Sequence, residues 1–455
     1  MIKVFNTLSG KKEKLPHAKE LKLFVCGPTV YDLSHIGHAR TYLAFDAIVR
    51  YLRSQKIKVF YLQNITDIDD RIIDRAREKN TEPKTIAKEF EKAYYQDMKT
   101  LGIASINKYA RATDYIPAIV KQVKTLIKKG HAYEIPGDGW YFNLSAFPDY
   151  GKLSHRTALQ ATDSVSRIDT SSNKKNAGDF CLWKFSKPGE PSWKTGLGAG
   201  RPGWHIEDTA ISESFFGPQY HLHGGAVDLK FPHHEAEIAQ QESASGKKPF
   251  VKIWIHTGFL LINGEKMSKS LGNFTTIRDF LKKHTSETLR MMVLSYHYRS
   301  PVDYTETIAE NAGKNIANIL EFIAKLSLVK NAKKSIDFSS AKARKEFQKA
   351  MEDDFNTPKT LAAIFEFINE TNKIIWKLSN KQAKEAADFI NKALKSLGFE
   401  LPAPKIPSKI AKLTQKRELY RTHKQFVQAD VLRKEINALG FSIEDTPAGP
   451  LVLKK

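Results

Sequence analysis

Cysteine is almost absent: Cys26 and Cys181 are the only two in 455 residues. Two thiols build no disulfide framework, and so sparse a supply suits a reducing compartment. Long apolar runs are missing as well, and no stretch nears the ~20 residues that span a bilayer. The amino end, MIKVFNTLSGKKEKL, lacks the apolar core of a secretion signal. A cytoplasmic chain with no membrane partner is therefore expected. Acidic residues are also in short supply: 50 Asp+Glu stand against 72 Lys+Arg, a formal charge of +22. Such an excess favours a polyanionic partner, because each phosphate neutralised releases counterions. A proteome rich in lysine throughout would give the same figure, since composition does not say where the lysines sit. No internal repeat is present.

What remains is an ordinary globular balance, 41% hydrophobic and 27% charged, in a chain long enough for about three domains. Leu21–Gly27 (LKLFVCG) reads as a short buried strand ending at glycine. Phe45, Ile48, Val49 and Leu52 then repeat at helical spacing, and Lys58–Ile65 (KVFYLQNI) reads as a second strand. Strand, helix, strand is the opening of a doubly wound α/β sheet, whose ligands bind beyond the carboxyl ends of its strands. Residues of about 130–200 look less regular, with loop-like Ser171–Gly178 and Gly196–Gly203. The sheet pattern resumes at Tyr220–Gly225, a helix His233–Ser243 and a strand-like Val251–Ile262. Past about 305 the pattern turns helical. Thr357 and Pro358 read as the cap and first-turn proline of a helix carrying Leu361, Ile364, Phe365 and Ile368 on one face. Pro402, Pro404 and Pro407 mark a linker, followed by two basic helical stretches, a stop at Gly440 and a hairpin near Thr446–Gly449.

Two short motifs suit nucleotide chemistry. His35-Ile36-Gly37-His38 falls at the start of the first helix, where free N–H groups and a partial positive charge favour phosphates. Imidazoles at i and i+3 share a face there, and Gly37 allows close approach to the backbone. By itself the match is equally a polar helix start. Lys266-Met267-Ser268-Lys269-Ser270 lies in a glycine-containing loop after the second half of the sheet. Its lysines can clamp the β- and γ-phosphates and stabilise departing pyrophosphate, or form no more than an exposed basic turn. Both elements together, in this order in a doubly wound pattern, resemble the class I aminoacyl-tRNA synthetases.

A third constellation concerns metal. His233-His234-Glu235-Ala236-Glu237 puts His233 and Glu237 at i, i+4 on one helical face, a good spacing for a shared ion. Cys26 ends the first strand and faces the same cleft. Here the chain resembles cysteinyl-tRNA synthetase, through FVCGPTVYDLSHIGHAR (24–40), NITDIDD (64–70), GRPGWHIE (200–207), FPHHEAE (231–237), EKMSKSLGNF (265–274) and DDFNTP (353–358). The match runs essentially end to end.

The resemblance implies cysteine–tRNA ligation: ATP, L-cysteine and tRNA(Cys) give cysteinyl-tRNA(Cys), AMP and diphosphate through a cysteinyl-adenylate. It implies one Zn2+ at the active site binding the substrate sulfur, Mg2+ with ATP, and a monomer. It further implies a Rossmann-like catalytic domain in two halves (1–125 and 201–304) around a connective insertion (126–200). A helical bundle (305–400) and a small basic α+β domain (408–455) for the anticodon follow. His35, His38, Lys266 and Lys269 carry over as catalytic residues. His35, Gly37, His38, Asp228, Lys266, Ser268 and Lys269 carry over as ATP contacts, with Asp228 on the ribose. Thr66, Trp204, His223 and His256 line the amino-acid pocket, although Thr66 also reads as a helix cap before Asp67–Asp70.

The implied zinc ligands are Cys26, His233, Glu237 and Asp208. Asp208 is a departure, because the residue after Trp-His-Ile-Glu is usually cysteine. A carboxylate is an acceptable zinc ligand, but it is harder than a thiolate and lowers the preference for zinc over other divalent ions. Glu207, a water, or Cys181 on a folded-over loop are the competing occupants of that position, and a site that holds metal weakly or not at all is the other alternative. A cysteine ligase acting on an amino-sugar and a catalytically silent RNA-binding paralogue are the rival functions.

Overall fold

The structure, a computed structural model, describes residues 1–156, 173–267, 273–329, 336–401 and 406–454. It divides into two compact units. The first comprises Met1–Ser286, Tyr296–Thr305 and Glu352–Phe355. Its centre is a five-stranded sheet: β1 (Leu21–Val25), β2 (Val59–Ile65), β3 (Lys108–Arg111), β4 (Tyr220–Ala226) and β5 (Val251–Thr257). The strands lie in the order β5-β4-β1-β2-β3, and every neighbouring pair is parallel. The chain steps outward from β1 to β3, then returns to the other side of β1 for β4 and β5. The reversal falls between β1 and β4, where an open α/β sheet leaves a crevice beyond its carboxyl ends. Val25, the last residue of β1, pairs with both Gln63 and Gly224, so β2 and β4 each run two residues beyond it on either side of Cys26.

Helix α1 (Ile36–Ser54) buries Phe45, Ile48, Val49 and Leu52, the stripe read from the sequence. Strand-like Val251–Ile262 is two strands, β5 and Leu260–Ile262. Gly258 breaks the run, since a Cβ there would stand 2.4 Å from the Ser300 carbonyl oxygen. Residues 130–200 also differ from expectation. Ala132–Ile135, Gly139–Phe142, Phe180–Phe185, Trp193–Thr195 and Gly198–Pro202 form a second, antiparallel sheet. The glycines read as a loop are demanded by close packing instead: a Cβ at Gly200 would meet the Lys184 carbonyl oxygen at 2.4 Å. Part of Ser171–Gly178 lies outside the described residues.

The second unit is helical. Helix Thr357–Asn372 is capped by Asn356, whose side chain accepts from the Lys359 N–H, so the cap precedes Thr357. The buried face of this helix carries Leu361, Ile364, Phe367 and Ile368; Phe365 is only half-buried. Helices Ser408–Thr422 and Phe426–Ala438 and the hairpin Phe441–Thr446/Gly449–Lys454 enclose a small core of Ile410, Ile436, Ile443 and Val452. Arg417 holds that module together by a two-pronged ion pair with Asp445, 2.7 and 2.9 Å. Pro402 and Pro404 lie outside the described residues. No helix among the described residues is long and apolar enough to cross a membrane.

Candidate active site

At the amino end of α1 the backbone N–H groups are met by the two histidines themselves. His35 is the cap, and its Nδ1 accepts from the His38 N–H at 3.3 Å. The His38 Nδ1 in turn accepts from the His35 N–H, also at 3.3 Å. With Nδ1 an acceptor, each neutral ring carries its proton on Nε2. The rings stack with centroids 3.8 Å apart. Gly37 makes room for this pair, since a Cβ there would lie 2.8 Å from the His35 ring. Burial first, and the neighbouring His35 second, hold His38 well below the ordinary imidazole range. Below about pH 6.5 the unfolded ring binds a proton that the folded ring refuses, so this contribution to stability is lost as pH falls. Urea midpoints at about pH 7.5 and 5.5 should therefore drop more steeply in the parent than in His38→Gln.

The two flanks of the lysine-containing loop straddle this turn. Met267 would stand 3.3 Å from a Cβ at Gly37, and Phe274 meets the His35 ring edge-on at 5.3 Å. The Ile36 N–H donates to the Thr275 carbonyl at 3.1 Å, and the Ile277 N–H to that of Ser34 at 2.9 Å. Ser268 and Lys269 lie outside the described residues, as does the side chain of Lys266.

Cys26 follows β1 at the crevice. Facing it are α2 (Trp204–Phe216), which carries Asp208, and α3 (His233–Ser245), which carries His233 and Glu237. One donor atom from each of Cys26, Asp208, His233 and Glu237 falls within 4.8 Å of the other three. His233 Nε2 is 3.1 Å from Asp208 Oδ2 and 3.1 Å from Glu237 Oε1. The second set that meets this criterion, Cys26, His223, His234 and Glu237, shares two members with the first. All six side chains are buried.

The sulfur, imidazole and carboxylate donors suit a tetrahedral zinc ion. Among the described residues Glu237 Oε2 is buried with no hydrogen bond, His223 Nε2 standing 3.5 Å away, and a cation would relieve this. Burial, reinforced by Glu237 and Asp208, pushes the Cys26 thiol well above its usual range. Burial and Asp208 push Glu237 upward too. Cys26 and Glu237 thus resist ionising in a dry pocket, and a divalent ion would reverse that preference. The outer nitrogens are tied: His233 Nδ1 lies 2.7 Å from His205 Nδ1, and His223 Nδ1 lies 2.6 Å from the Tyr220 hydroxyl. His234 Nδ1 reaches His256 Nε2 at 2.8 Å, whose far nitrogen meets Thr7. Such outer partners fix ring orientation in metal sites.

Trp204 stacks on the His233 ring at 4.3 Å. The Thr66 hydroxyl donates to Glu207 at 2.9 Å. Thr66 is not a cap; that role belongs to Asp69, which accepts from the Arg71 N–H. Asp228 is exposed, one turn past β4. Glu207 and Cys181 are in neither donor set; Cys181 packs against Ile135 and Tyr141. Sequence reasoning missed His234 and Asn64. His234 had a signal, its i, i+3 spacing to Glu237. Asn64 had none, because its partners are distant in sequence.

The family model for tRNA synthetases class I (C) catalytic domain matches residues 12–314, and that of the DALR domain matches residues 346–401. The cysteine–tRNA ligase of Thermococcus gammatolerans is 42% identical, over 98% of each chain. That of Methanococcus maripaludis is 41% identical over 100% of this chain and 99% of its own. Among solved structures, Mycobacterium tuberculosis methionyl-tRNA synthetase in complex with methionyl-adenylate has the same fold. Its TM-score is 0.61 at 16% identity, covering 84% of this chain and 90% of that one. With a catalytic match over most of the chain and relatives aligned from end to end, the chain belongs to the cysteine–tRNA ligase family, on a class I aminoacyl-tRNA synthetase fold.

Proposed function

We propose that this chain activates L-cysteine with ATP and transfers it to the 3′ end of tRNA(Cys), with one zinc ion held by Cys26, Asp208, His233 and Glu237. The observation that carries this reading is the buried thiol, imidazole and carboxylate set at the crevice of a class I synthetase sheet. Cysteine and serine differ by one atom, and a hydrophobic pocket separates such near-isosteres by only about 1–3 kcal/mol. When bound, zinc supplies a Lewis acid that favours sulfur over a hydroxyl oxygen.

The side chains do the rest. Trp204 walls the pocket over His233, and Thr66, His223 and His256 close around the amino acid. A carboxylate oxygen of the substrate attacks the α-phosphorus of ATP, the bond to the β-phosphate breaks, and pyrophosphate leaves. The nucleophile is already an anion, so no general base is needed. His35 and His38 offer Nε2–H donors to the phosphate charge, at a helix end that adds its own partial charge. Lys266 and Lys269 hold the departing pyrophosphate with Mg2+, Ser268 and Gly37 support the phosphates, and Asp228 takes the ribose. The second step moves the cysteinyl group from the adenylate to the tRNA hydroxyl, releasing AMP.

Residues 305–400 and 408–455 serve as the RNA-binding parts of a cytoplasmic monomer. On the terminal module, exposed Leu419, Phe426, Val427 and Val431 lie among exposed Lys416, Lys424, Arg433 and Lys434. Aromatic and apolar groups among cations suit unstacked bases with their phosphates. Phe426→Ala should raise the KM for tRNA about tenfold, the scale of one lost base stack, and leave cysteine-dependent ATP–pyrophosphate exchange unchanged.

Charging of tRNA(Cys) tests the reading. Cysteine-dependent exchange together with charging supports it. Exchange without charging points to another acceptor such as an amino-sugar, and absence of both marks a silent RNA-binding protein.

A further inference from the structure

A thiolate ligand offers one donor atom, whereas a carboxylate offers two and can rotate between them. Placing Asp208 at a metal site therefore raises the question of what chooses its oxygen. Asn64, 2% exposed at the end of β2, meets both sides of the question. Its Oδ1 accepts the Gly27 N–H at 2.6 Å, which fixes the orientation of the amide. The amide nitrogen must then face Asp208, and it donates to Oδ1 at 2.6 Å, with Thr66 Oγ1 at 3.4 Å. Oδ2 is left toward the donor set, 3.1 Å from His233 Nε2. Two residues on, Thr66 binds Glu207 at 2.9 Å. The end of β2 thus sorts two consecutive carboxylates of α2.

We infer that Asn64 is a positioning residue that makes Asp208 a one-oxygen metal ligand, by occupying Oδ1 and tying that side chain to the backbone beside Cys26. The inference rests on the reading of Asp208 as a ligand. Hydrogen bonds from outer residues to metal ligands typically govern affinity by about 10- to 100-fold. Here the bond also sets denticity, which matters because a second bound oxygen would fill the position the substrate sulfur needs.

The test uses the full-length protein, with zinc affinity measured by chelator competition and the visible spectrum recorded after loading cobalt. Asn64→Ala is expected to lose about 10- to 100-fold in zinc affinity. Its cobalt d–d bands should weaken as the freed carboxylate adds a second oxygen. Asn64→Asp keeps an acceptor for the Gly27 N–H but turns a second carboxylate on Asp208, so it should lose at least as much. In an Asp208→Cys background, adding Asn64→Ala should change affinity by less than about threefold, since the oxygen to be positioned is gone. Equal losses in both backgrounds would show a general structural role and overturn the inference, as would wild-type affinity in Asn64→Asp. Wild-type affinity in Asp208→Ala would instead overturn the ligand reading itself, which separates the two failures.

Discussion

With His38 replaced by alanine, cysteine-dependent ATP–pyrophosphate exchange is expected to fall about 10²- to 10³-fold in kcat, the cost of one preorganised donor to developing charge. His38 spends its Nδ1 on the His35 N–H, so the neutral ring has its proton on Nε2 at the mouth of α1. Its depressed basicity keeps that tautomer through neutral pH. A donor that acts on charge growing as pyrophosphate departs, the role proposed for His38, would show its loss in kcat, with the KM for cysteine little changed. His38→Asn separates capping from chemistry, because asparagine keeps a side-chain acceptor near the turn but not the imidazole donor. A thermal midpoint near the parent's with a large loss of kcat is the expected combination. An exchange rate within about threefold of the parent in His38→Ala would remove this ring from the reaction.

The second large effect concerns Cys26. Cys26→Ser replaces the only thiol in either four-donor set with a hydroxyl that stays protonated at neutral pH. Zinc affinity should fall by more than the ~100-fold that loss of an outer-shell partner reaches, and cysteine activation should fall with it. The buried neighbours sharpen the effect. Among the described residues Glu237 Oε2 already lacks a hydrogen bond, and burial with the nearby Asp208 carboxylate pushes Glu237 upward. Without a well-held cation, burial disfavours the charged forms of Cys26 and Glu237. Metal content after gel filtration checks this directly. Undiminished zinc in Cys26→Ser would place the ion elsewhere.

Much of this was legible from local patterns. The α1 stripe, β1 and β2, and the pairing of His233 with Glu237 all follow from periodicities that the folded chain keeps. What escaped depends on contacts between distant segments. Gly200 looks like a loop residue until the Lys184 carbonyl is seen against it, and that approach is set by strand pairing. Asn64 reads as one polar residue in a strand, yet it ties Gly27 to Asp208, which lies 144 positions beyond Asn64 in the sequence. The His35–His38 pair lay between the two cases. Its place at a helix start was readable, but the mutual capping that fixes both tautomers was not. Asp208 was visible as an oddity, and only the geometry shows that its second oxygen is already engaged.

The decisive measurement is ATP–pyrophosphate exchange with cysteine and with serine, on protein stripped of transition ions but kept in Mg2+, and again after zinc is restored. The account predicts that stripping abolishes exchange with cysteine, that zinc returns it, and that serine supports none in either state. Full exchange with cysteine by the stripped protein, with serine still refused, would contradict the claim that a bound cation selects the sulfur.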